Sequence, residues 1–230
     1  MTPPDEGLWR IGREPDPLKA SISSASSEVS KASTGNRFDS PTASFGVRYF
    51  ATKLEGCFGE TLARFRPDPE LARVVGDEWA DLGFMNVGDI PADWRQRRTA
   101  VKVVLPKGQP QFPDGLPFLD IEALETREAI RPHFGELLAF HGYPDLDVPV
   151  VRGHDRRITR YISQWTWEQQ DDEADLPIYA GIRYLSRLNN DWELWAVFDD
   201  VELEVRVQKP ILRNDPDLQS VAKKYRLTPY

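Results

Sequence analysis

An alternation of apolar and polar residues runs through several short stretches of the chain and predicts β-strands. The stretches with this pattern, or with a short apolar run, are residues 8–12, 45–51, 98–106, 117–121, 178–184, 194–200 and 201–207. In the second stretch, Phe45, Val47 and Tyr49 share one side and Arg48 lies on the other. The pattern therefore predicts that Tyr49 points inward from a strand.

Directly after this strand, apolar residues recur at intervals of three and four, which is the spacing of one face of an α-helix. The residues of this stripe are Leu54, Cys57, Phe58, Thr61, Leu62 and Phe65. Thr52 and Glu55 form a Ser/Thr-x-x-Glu capping box, which predicts where the helix starts. Glu60 lies off the stripe, beside three small residues that leave the helix surface open to close approach by another group, namely Gly56, Gly59 and Ala63.

Further helices are predicted over residues 67–84 and 154–170, and from Asp215-Pro216 onward, where a polar cap precedes a proline. Residues 124–141 are predicted to form two shorter helical pieces, because Pro132 and Gly135 interrupt the pattern. In the helix over 154–170, three basic side chains are predicted to form a solvated face, namely Arg156, Arg157 and Arg160.

The composition is typical of a chain that buries a core of ordinary size. The 230 residues are 40% hydrophobic and include 7 Trp, 7 Tyr and 11 Phe, which is enough for one domain. Residues 20–35 are rich in serine, and such a segment cannot bury enough apolar surface to offset the entropy of ordering it. We therefore expect one domain with a flexible insertion near its start.

The net charge of −8, with basic residues scattered along the sequence, argues against a nucleic-acid partner, which requires a positive face. The lone Cys57 excludes a disulfide within the chain and favours a reducing compartment. No signal-sequence pattern is present, and no apolar run reaches the length of about 18 residues that a membrane span needs. The sequence predicts a cytoplasmic protein without a membrane or nucleic-acid partner.

Several common chemistries lack their sequence motifs. The three histidines, His133, His141 and His154, have no cysteine or carboxylate partners at zinc-ligand spacing, so no metal site is expected. No glycine-rich nucleotide loop and no Gly-x-Ser-x-Gly elbow is present.

Three residues near the first helix are candidates for chemistry: Arg37 from a loop, Tyr49 from a strand and Glu60 from a helix. Each has an ordinary alternative. Glu60 and Arg64 are spaced as a surface ion pair worth about 0.3 kcal/mol. Tyr49 could be a core tyrosine, and Arg37 a solvated loop arginine. Spacing alone does not decide between these interpretations.

The segments RFDSP, FGVRYFA and EGCFGETL, followed by AGIRYLSRL and LWAVFDD, resemble the successive motifs of the RES domain family, which is named for its arginine, glutamate and serine. The opening LWRIG fits the same pattern, so the resemblance spans residues 8 to 200. It implies an α+β fold similar to the diphtheria-toxin-like ADP-ribosyltransferases, with a mixed, split β-sheet core flanked by helices. The single domain would cover 1–230, with the serine-rich insertion at 20–35 and an extended middle segment at 66–120.

The resemblance implies an enzyme that consumes NAD as a substrate, with no prosthetic group. It would cleave the nicotinamide–ribose bond as a glycohydrolase or phosphorylase, and act as the toxin of a bacterial toxin–antitoxin pair restrained by an Xre-type helix-turn-helix antitoxin. Two alternatives stay open: a mono-ADP-ribosyltransferase that modifies a macromolecule, and a non-catalytic interaction module of the same fold.

The resemblance also assigns roles to particular residues. Glu60, Tyr49 and Arg37 would be catalytic, with Glu60 stabilising the positive charge that develops on the ribose. Arg10 and Arg37 would hold the pyrophosphate, Tyr49 would pack against the nicotinamide or its ribose, and Ser186 would orient the substrate. No metal is implied.

Overall fold

The computed structural model describes residues 1–22, 35–67, 87–112, 115–171, 173 and 175–230. The serine-rich insertion and the helix predicted over 67–84 lie almost entirely outside the described residues, so both stay predictions.

Strands and helices alternate along the described chain. The strands are Leu8–Arg13 (β1), Val47–Ala51 (β2), Asp89–Ile90 (β3), Arg98–Val104 (β4), Phe118–Asp120 (β5), Gln170–Asp171 (β6), Leu176–Pro177 (β7), Gly181–Leu185 (β8), Glu193–Phe198 (β9), Glu204–Pro210 (β10) and Thr228–Pro229 (β11). The helices are Leu54–Leu62 (α1), Ala92–Gln96 (α2), Leu124–Phe140 (α3), Val148–Arg152 (α4), Arg157–Glu168 (α5) and Pro216–Tyr225 (α6), and a 3-10 turn, Ala63–Phe65, follows α1. The α+β class is confirmed.

One seven-stranded sheet carries the fold, in the order β10-β4-β1-β2-β9-β8-β5. Neighbouring strands are antiparallel except β5 and β8, which are parallel, so the sheet is mixed. Strand β1 is in register with β4 over six residue pairs, but with β2 only at Trp9 and Ala51. The sheet is therefore split at its centre, between β1 and β2.

The two faces of the sheet are covered by different elements. Buried residues of α1, α3, α5 and α6 pack on one face together with the strand residues Val47, Ala51, Ala100, Ile182 and Ala196. Loop residues cover the other face over Leu8, Phe50, Val101, Trp195 and Val197. The alternation predicted for β2 is confirmed, because Val47 and Ala51 face the helices while Phe50 faces away.

Helix α3 is continuous, so the predicted break at Pro132 and Gly135 is wrong. Pro132 lacks the amide that would bond to the carbonyl of Glu128. Both residues are exposed, so water can take that carbonyl. On the opposite side of the helix, Ile130 and Phe134 are buried in the core, and this packing outweighs the lost hydrogen bond.

Helix α1 begins where the sequence predicts, but the predicted capping box does not form. The helix has no side-chain cap. The Thr52 hydroxyl instead donates to Glu193 at 2.6 Å, and the Glu55 carboxylate accepts from Ser220 and Lys224, each at 2.7 Å. Partners distant in sequence have replaced the local ones. Among the described helices, none is both long and apolar enough to cross a lipid bilayer.

Candidate functional site

A cavity of about 1210 Å³ lies at the split between β1 and β2. It is lined by both strands, by α1 and by the loop after β8. All of the site residues predicted from the sequence line it, namely Arg10, Arg37, Tyr49, Glu60 and Ser186. The fold thus brings together side chains that come from two strands, one helix and two loops.

Glu60 is held by Ser186. The buried Ser186 hydroxyl donates to Glu60 Oε1 at 2.5 Å and accepts from the amide of Leu188 at 3.0 Å. Within the described residues, Glu60 makes no ion pair with Arg64, whose guanidinium instead lies 4.7 Å from the ring centroid of Phe65. The geometry therefore does not match the surface ion-pair interpretation of Glu60.

The Arg37 guanidinium is half-buried at the C-terminal end of α4. It donates to the carbonyls of Val151 at 2.7 Å, Arg152 at 3.1 Å and Gly153 at 3.0 Å. Burial lowers its pKa, an effect opposed by the nearby Tyr184 and Glu60. Because a guanidinium has five N–H groups, Arg37 keeps two that no described residue accepts from.

Arg10 bridges the split in the sheet. Its guanidinium donates to the carbonyls of Pro17 at 2.9 Å and Lys19 at 2.7 Å, and across the split to the carbonyl of Tyr49 at 3.5 Å. Burial lowers the pKa of Arg10. Both predicted phosphate-binding arginines are thus fixed in place by backbone oxygens, which reduces the conformational freedom that a ligand would have to restrict.

Asp39 anchors the loop that carries Arg37, a role that the sequence analysis missed. Its carboxylate is 2% exposed and accepts from the Tyr49 hydroxyl at 2.8 Å, the Asn36 amide at 2.8 Å and the Ser21 hydroxyl at 3.1 Å. Burial, and then the charge of Asp39, raises the pKa of Tyr49 well above its usual value. Tyr49 is therefore a neutral phenol with its hydroxyl already engaged, so only its ring is available to a ligand.

Tyr184, on β8, is a second cavity residue that the sequence analysis did not single out. Its ring packs edge-on against Phe38 at a centroid distance of 4.8 Å. Burial, and then the charge of Glu60, raises its pKa. Its hydroxyl makes no hydrogen bond with any described residue, so it can donate to a ligand. Nothing in the sequence distinguished it from a core tyrosine of a buried strand.

Cys57 also lines the cavity. Its thiol donates to the carbonyl of Trp9 at 3.0 Å, and burial raises its pKa to about 12. A thiol with this pKa is not a nucleophile at neutral pH. In the described parts of the chain, no group of three His, Cys, Asp or Glu side chains could hold a metal ion.

The cavity is strongly basic although the protein is acidic. Its basic lining residues are Arg10, Arg13, Lys19, Arg37, Arg64, Arg98, Arg156 and Arg187. Its acidic lining residues are Glu14, Asp16 and Glu60. The fold concentrates basic side chains that are scattered along the sequence, and the resulting positive potential suits an anionic ligand.

Two of the three arginines predicted to form a solvated face, Arg156 at the start of α5 and Arg160 within it, depart from that prediction. Arg160 is 2% exposed and donates to the carbonyls of Asp39 at 3.3 Å and Ser40 at 3.2 Å, so the prediction is wrong for this residue. Arg156 lines the cavity and donates to the carbonyl of Gly35. The loop before β2 offers backbone oxygens that the sequence pattern does not reveal.

Two of the small residues beside Glu60, Gly56 and Gly59, allow the Trp192 side chain to pack closely against α1. A Cβ atom on Gly59 would lie 2.0 Å from the Trp192 ring, and one on Gly56 would lie 3.1 Å from Ala51 Cβ and 3.4 Å from Trp192. Trp192 is 2% exposed. The close approach expected from the sequence is therefore made by Trp192 at these two glycines.

We expect Gly59→Ala to lower the free energy of unfolding by about 2 kcal/mol or more. The cost of forcing a methyl group against the buried Trp192 ring is larger than the stabilisation gained from the higher helix propensity of alanine. Gly135→Ala is the matched control, since a Cβ at that helical position meets nothing within 4 Å. This control should raise stability by about 0.5–1 kcal/mol. Urea unfolding measures the change in stability of both variants. Equal changes would contradict the packing role of Gly59.

Comparison with known proteins gives a match to a family and an alignment with a solved structure. The model of the RES domain family matches residues 7–218. Among solved structures, a chain of the M. tuberculosis MbcT–MbcA toxin–antitoxin complex aligns with 13% sequence identity and a TM-score of 0.41, over 96% of this chain and 88% of that chain. No curated protein matches this chain.

Proposed function

Because the chain belongs to the RES domain family, we propose that it consumes NAD by cleaving the bond between nicotinamide and ribose. The observation that carries this proposal is the Glu60 carboxylate in a basic cavity, with one of its oxygens held by Ser186. A substrate with two phosphates suits the basic lining, and a reaction that forms a cationic sugar suits the carboxylate. The reaction is of the glycohydrolase or phosphorylase type, and the protein acts as a toxin.

The chemistry needs only one carboxylate. Nicotinamide is bound in NAD as a pyridinium and leaves as a neutral ring, so no general acid is required, in contrast to ordinary glycosidases with two carboxylates. Ser186 orients Glu60 through Oε1, while Oε2 accepts no hydrogen bond from a described residue. Oε2 hydrogen-bonds the nicotinamide ribose and stabilises its oxocarbenium charge, an electrostatic effect worth about 3 kcal/mol. As neutral nicotinamide leaves, water or phosphate forms the new bond to the ribose carbon.

Substrate binding uses the rest of the lining. Arg10 and Arg37 direct positive charge and their remaining N–H groups at the pyrophosphate, for which planar guanidinium groups are well shaped. The Tyr49 ring packs against the nicotinamide or its ribose. At about 1210 Å³, the cavity is larger than most small-molecule sites, which fits a ligand made of two nucleotides.

The test is incubation of the purified protein with NAD, with free nicotinamide and ADP-ribose followed by chromatography. Release of many nicotinamide molecules per protein, without any added macromolecule, supports the proposal. Added ADP-ribose mass on a protein, with little loss of bulk NAD, would instead indicate a mono-ADP-ribosyltransferase. Absence of NAD binding would indicate a non-catalytic module.

From family membership alone, we also propose that a small Xre-type helix-turn-helix protein restrains this toxin by placing its tail in the cavity. We expect co-expression with such an antitoxin to restore growth, to yield a complex that survives purification and to stop NAD cleavage. The check is growth measurement followed by size-exclusion chromatography. Neither rescue nor a complex with any candidate antitoxin would contradict this partner.

A further inference from the structure

A second space of about 300 Å³ adjoins the main cavity. Four residues line both spaces, namely Arg13, Arg64, Trp94 and Arg98, and Arg97 lines the smaller one. We call Arg13, Arg64, Arg97 and Arg98 the arginine subsite. A ligand in the main cavity could therefore extend a charged group into this subsite.

The fold itself brings these arginines together. Arg13 and Arg98 are directly opposite each other in the β1–β4 register. Like charges in that position weaken strand pairing. Arg64 arrives from the 3-10 turn after α1, and Arg97 follows α2. Two strands, the 3-10 turn and the end of α2 thus converge on one small positively charged space.

One carboxylate, that of Asp93, also lines the smaller space, so four arginines face a single acidic side chain there. Arg97 pairs with Asp93 at 3.5 Å, but Arg13 and Arg64 make no ion pair with a described residue. Arg98 donates to the carbonyl of Trp94 at 2.9 Å and lies 4.8 Å from its ring centroid. Burial, and then the charges of Arg13 and Arg64, lower the pKa of Arg98 to about 10. An anion with more than one negative charge would relieve this repulsion.

We propose that the arginine subsite binds a phosphomonoester dianion, supplied by the 2′-phosphate of NADP, so that NADP is a preferred substrate of the same cavity. This inference rests on the proposed function. The pyrophosphate is common to NAD and NADP and is assigned to Arg10 and Arg37. The arginine subsite is a second cluster of guanidinium groups, and NADP differs from NAD by one additional phosphate that such groups can bind. Inorganic phosphate has the same chemistry and is the other source of such a dianion.

The test compares nicotinamide release from NAD and from NADP by the wild-type protein and the double variant Arg13→Gln/Arg64→Gln. Both side chains are exposed, so folding should be retained. We expect the ratio of kcat/KM for NADP to that for NAD to fall about tenfold or more in the double variant. Arg206→Gln is the control, because Arg206 is an exposed arginine on β10 that lines neither space, and the ratio should not change.

An unchanged ratio in the double variant would overturn the proposal, whether the rates for both substrates fall equally or neither falls. Adding inorganic phosphate to NAD reactions distinguishes the two sources. If it accelerates NAD consumption by the wild-type protein and not by the double variant, the phosphate subsite is supported but the NADP source is overturned.

Failure of the proposed function would look different. In that case the wild-type protein releases nicotinamide from neither dinucleotide. Titration calorimetry with NAD and NADP then tests the subsite by itself. Tighter binding of NADP that is lost in the double variant supports the subsite, and equal binding of both ligands overturns it.

Discussion

Replacing Glu60 with glutamine is expected to lower the rate of NAD cleavage by about a hundredfold or more, which corresponds to about 3 kcal/mol of activation barrier. Glutamine has the same shape and can still accept the Ser186 hydrogen bond made to Oε1, but it carries no negative charge. NAD should still bind. The measurement is the initial rate of nicotinamide release at saturating NAD.

The stability of the Glu60→Gln protein separates catalysis from folding. Glu60 is exposed, and Glu and Gln have similar helix propensities, so the free energy of unfolding should change by only about 0.5 kcal/mol or less. Glu128→Gln is the control, because Glu128 is an exposed glutamate on α3 that does not line the cavity. It should leave both rate and stability unchanged. A folded Glu60→Gln protein with the wild-type rate would remove Glu60 from the mechanism.

Replacing Asp39 with alanine is expected to lower the free energy of unfolding by about 2–4 kcal/mol, because one substitution removes the shared acceptor of several donors, among them the buried Tyr49 hydroxyl. The donors are the Tyr49 hydroxyl and the amide of Asn36, and the Asn36 and Ser21 side chains lose the same partner. Since Asp39 anchors the loop that carries Arg37, NAD binding should weaken as well. Urea unfolding and an NAD titration measure the two effects.

Asp145→Ala is the matched control for Asp39→Ala. Asp145 pairs with Arg131 at 3.3 Å, and its side chain is 50% exposed. An exposed ion pair of this kind contributes at most about 1 kcal/mol. Equal effects of the two substitutions would contradict the anchoring role of Asp39, and loss of NAD binding without loss of stability would instead give Asp39 a direct part in the site.

The parts of the fold that could be predicted from the sequence are those that depend on local periodicity. Strand β2 and helix α1 lie close to their predicted positions, because alternation and three-to-four spacing directly record which side of each element is buried. The C-terminal helix begins at Pro216, with the Asp215 side chain as its cap. The cap uses Asp215 Oδ1, while Lys209 donates to Oδ2, so this further partner leaves the capping bonds intact.

Elsewhere, residues distant in sequence determined which contacts a side chain makes. Thr52 and Glu55 do not cap α1, because Glu193 and Lys224 offer stronger partners. Gly59 meets Trp192, a residue far away in the sequence. Spacing within a segment carries no information about these contacts.

The candidate site shows the same difference between what local sequence predicts and what distant contacts determine. The resemblance identified five of the residues that line the cavity, but not how each is held. The alternative interpretation of Arg37 was a solvated loop arginine, whereas its guanidinium donates to the carbonyls at the end of α4. The basic character of the cavity could not be predicted, because Arg13 and Arg98 become neighbours only through the β1–β4 register. Net charge is a sum over the chain and does not reveal a local cluster.

The most direct test of the central claim is the rate at which purified wild-type protein releases nicotinamide from NAD, measured beside the Glu60→Gln protein at equal concentration. We expect the wild-type protein to turn over NAD many times, and the folded Glu60→Gln protein to be slower by about a hundredfold or more. No release by the folded wild-type protein either with or without added inorganic phosphate, or equal release by both proteins, would contradict the account.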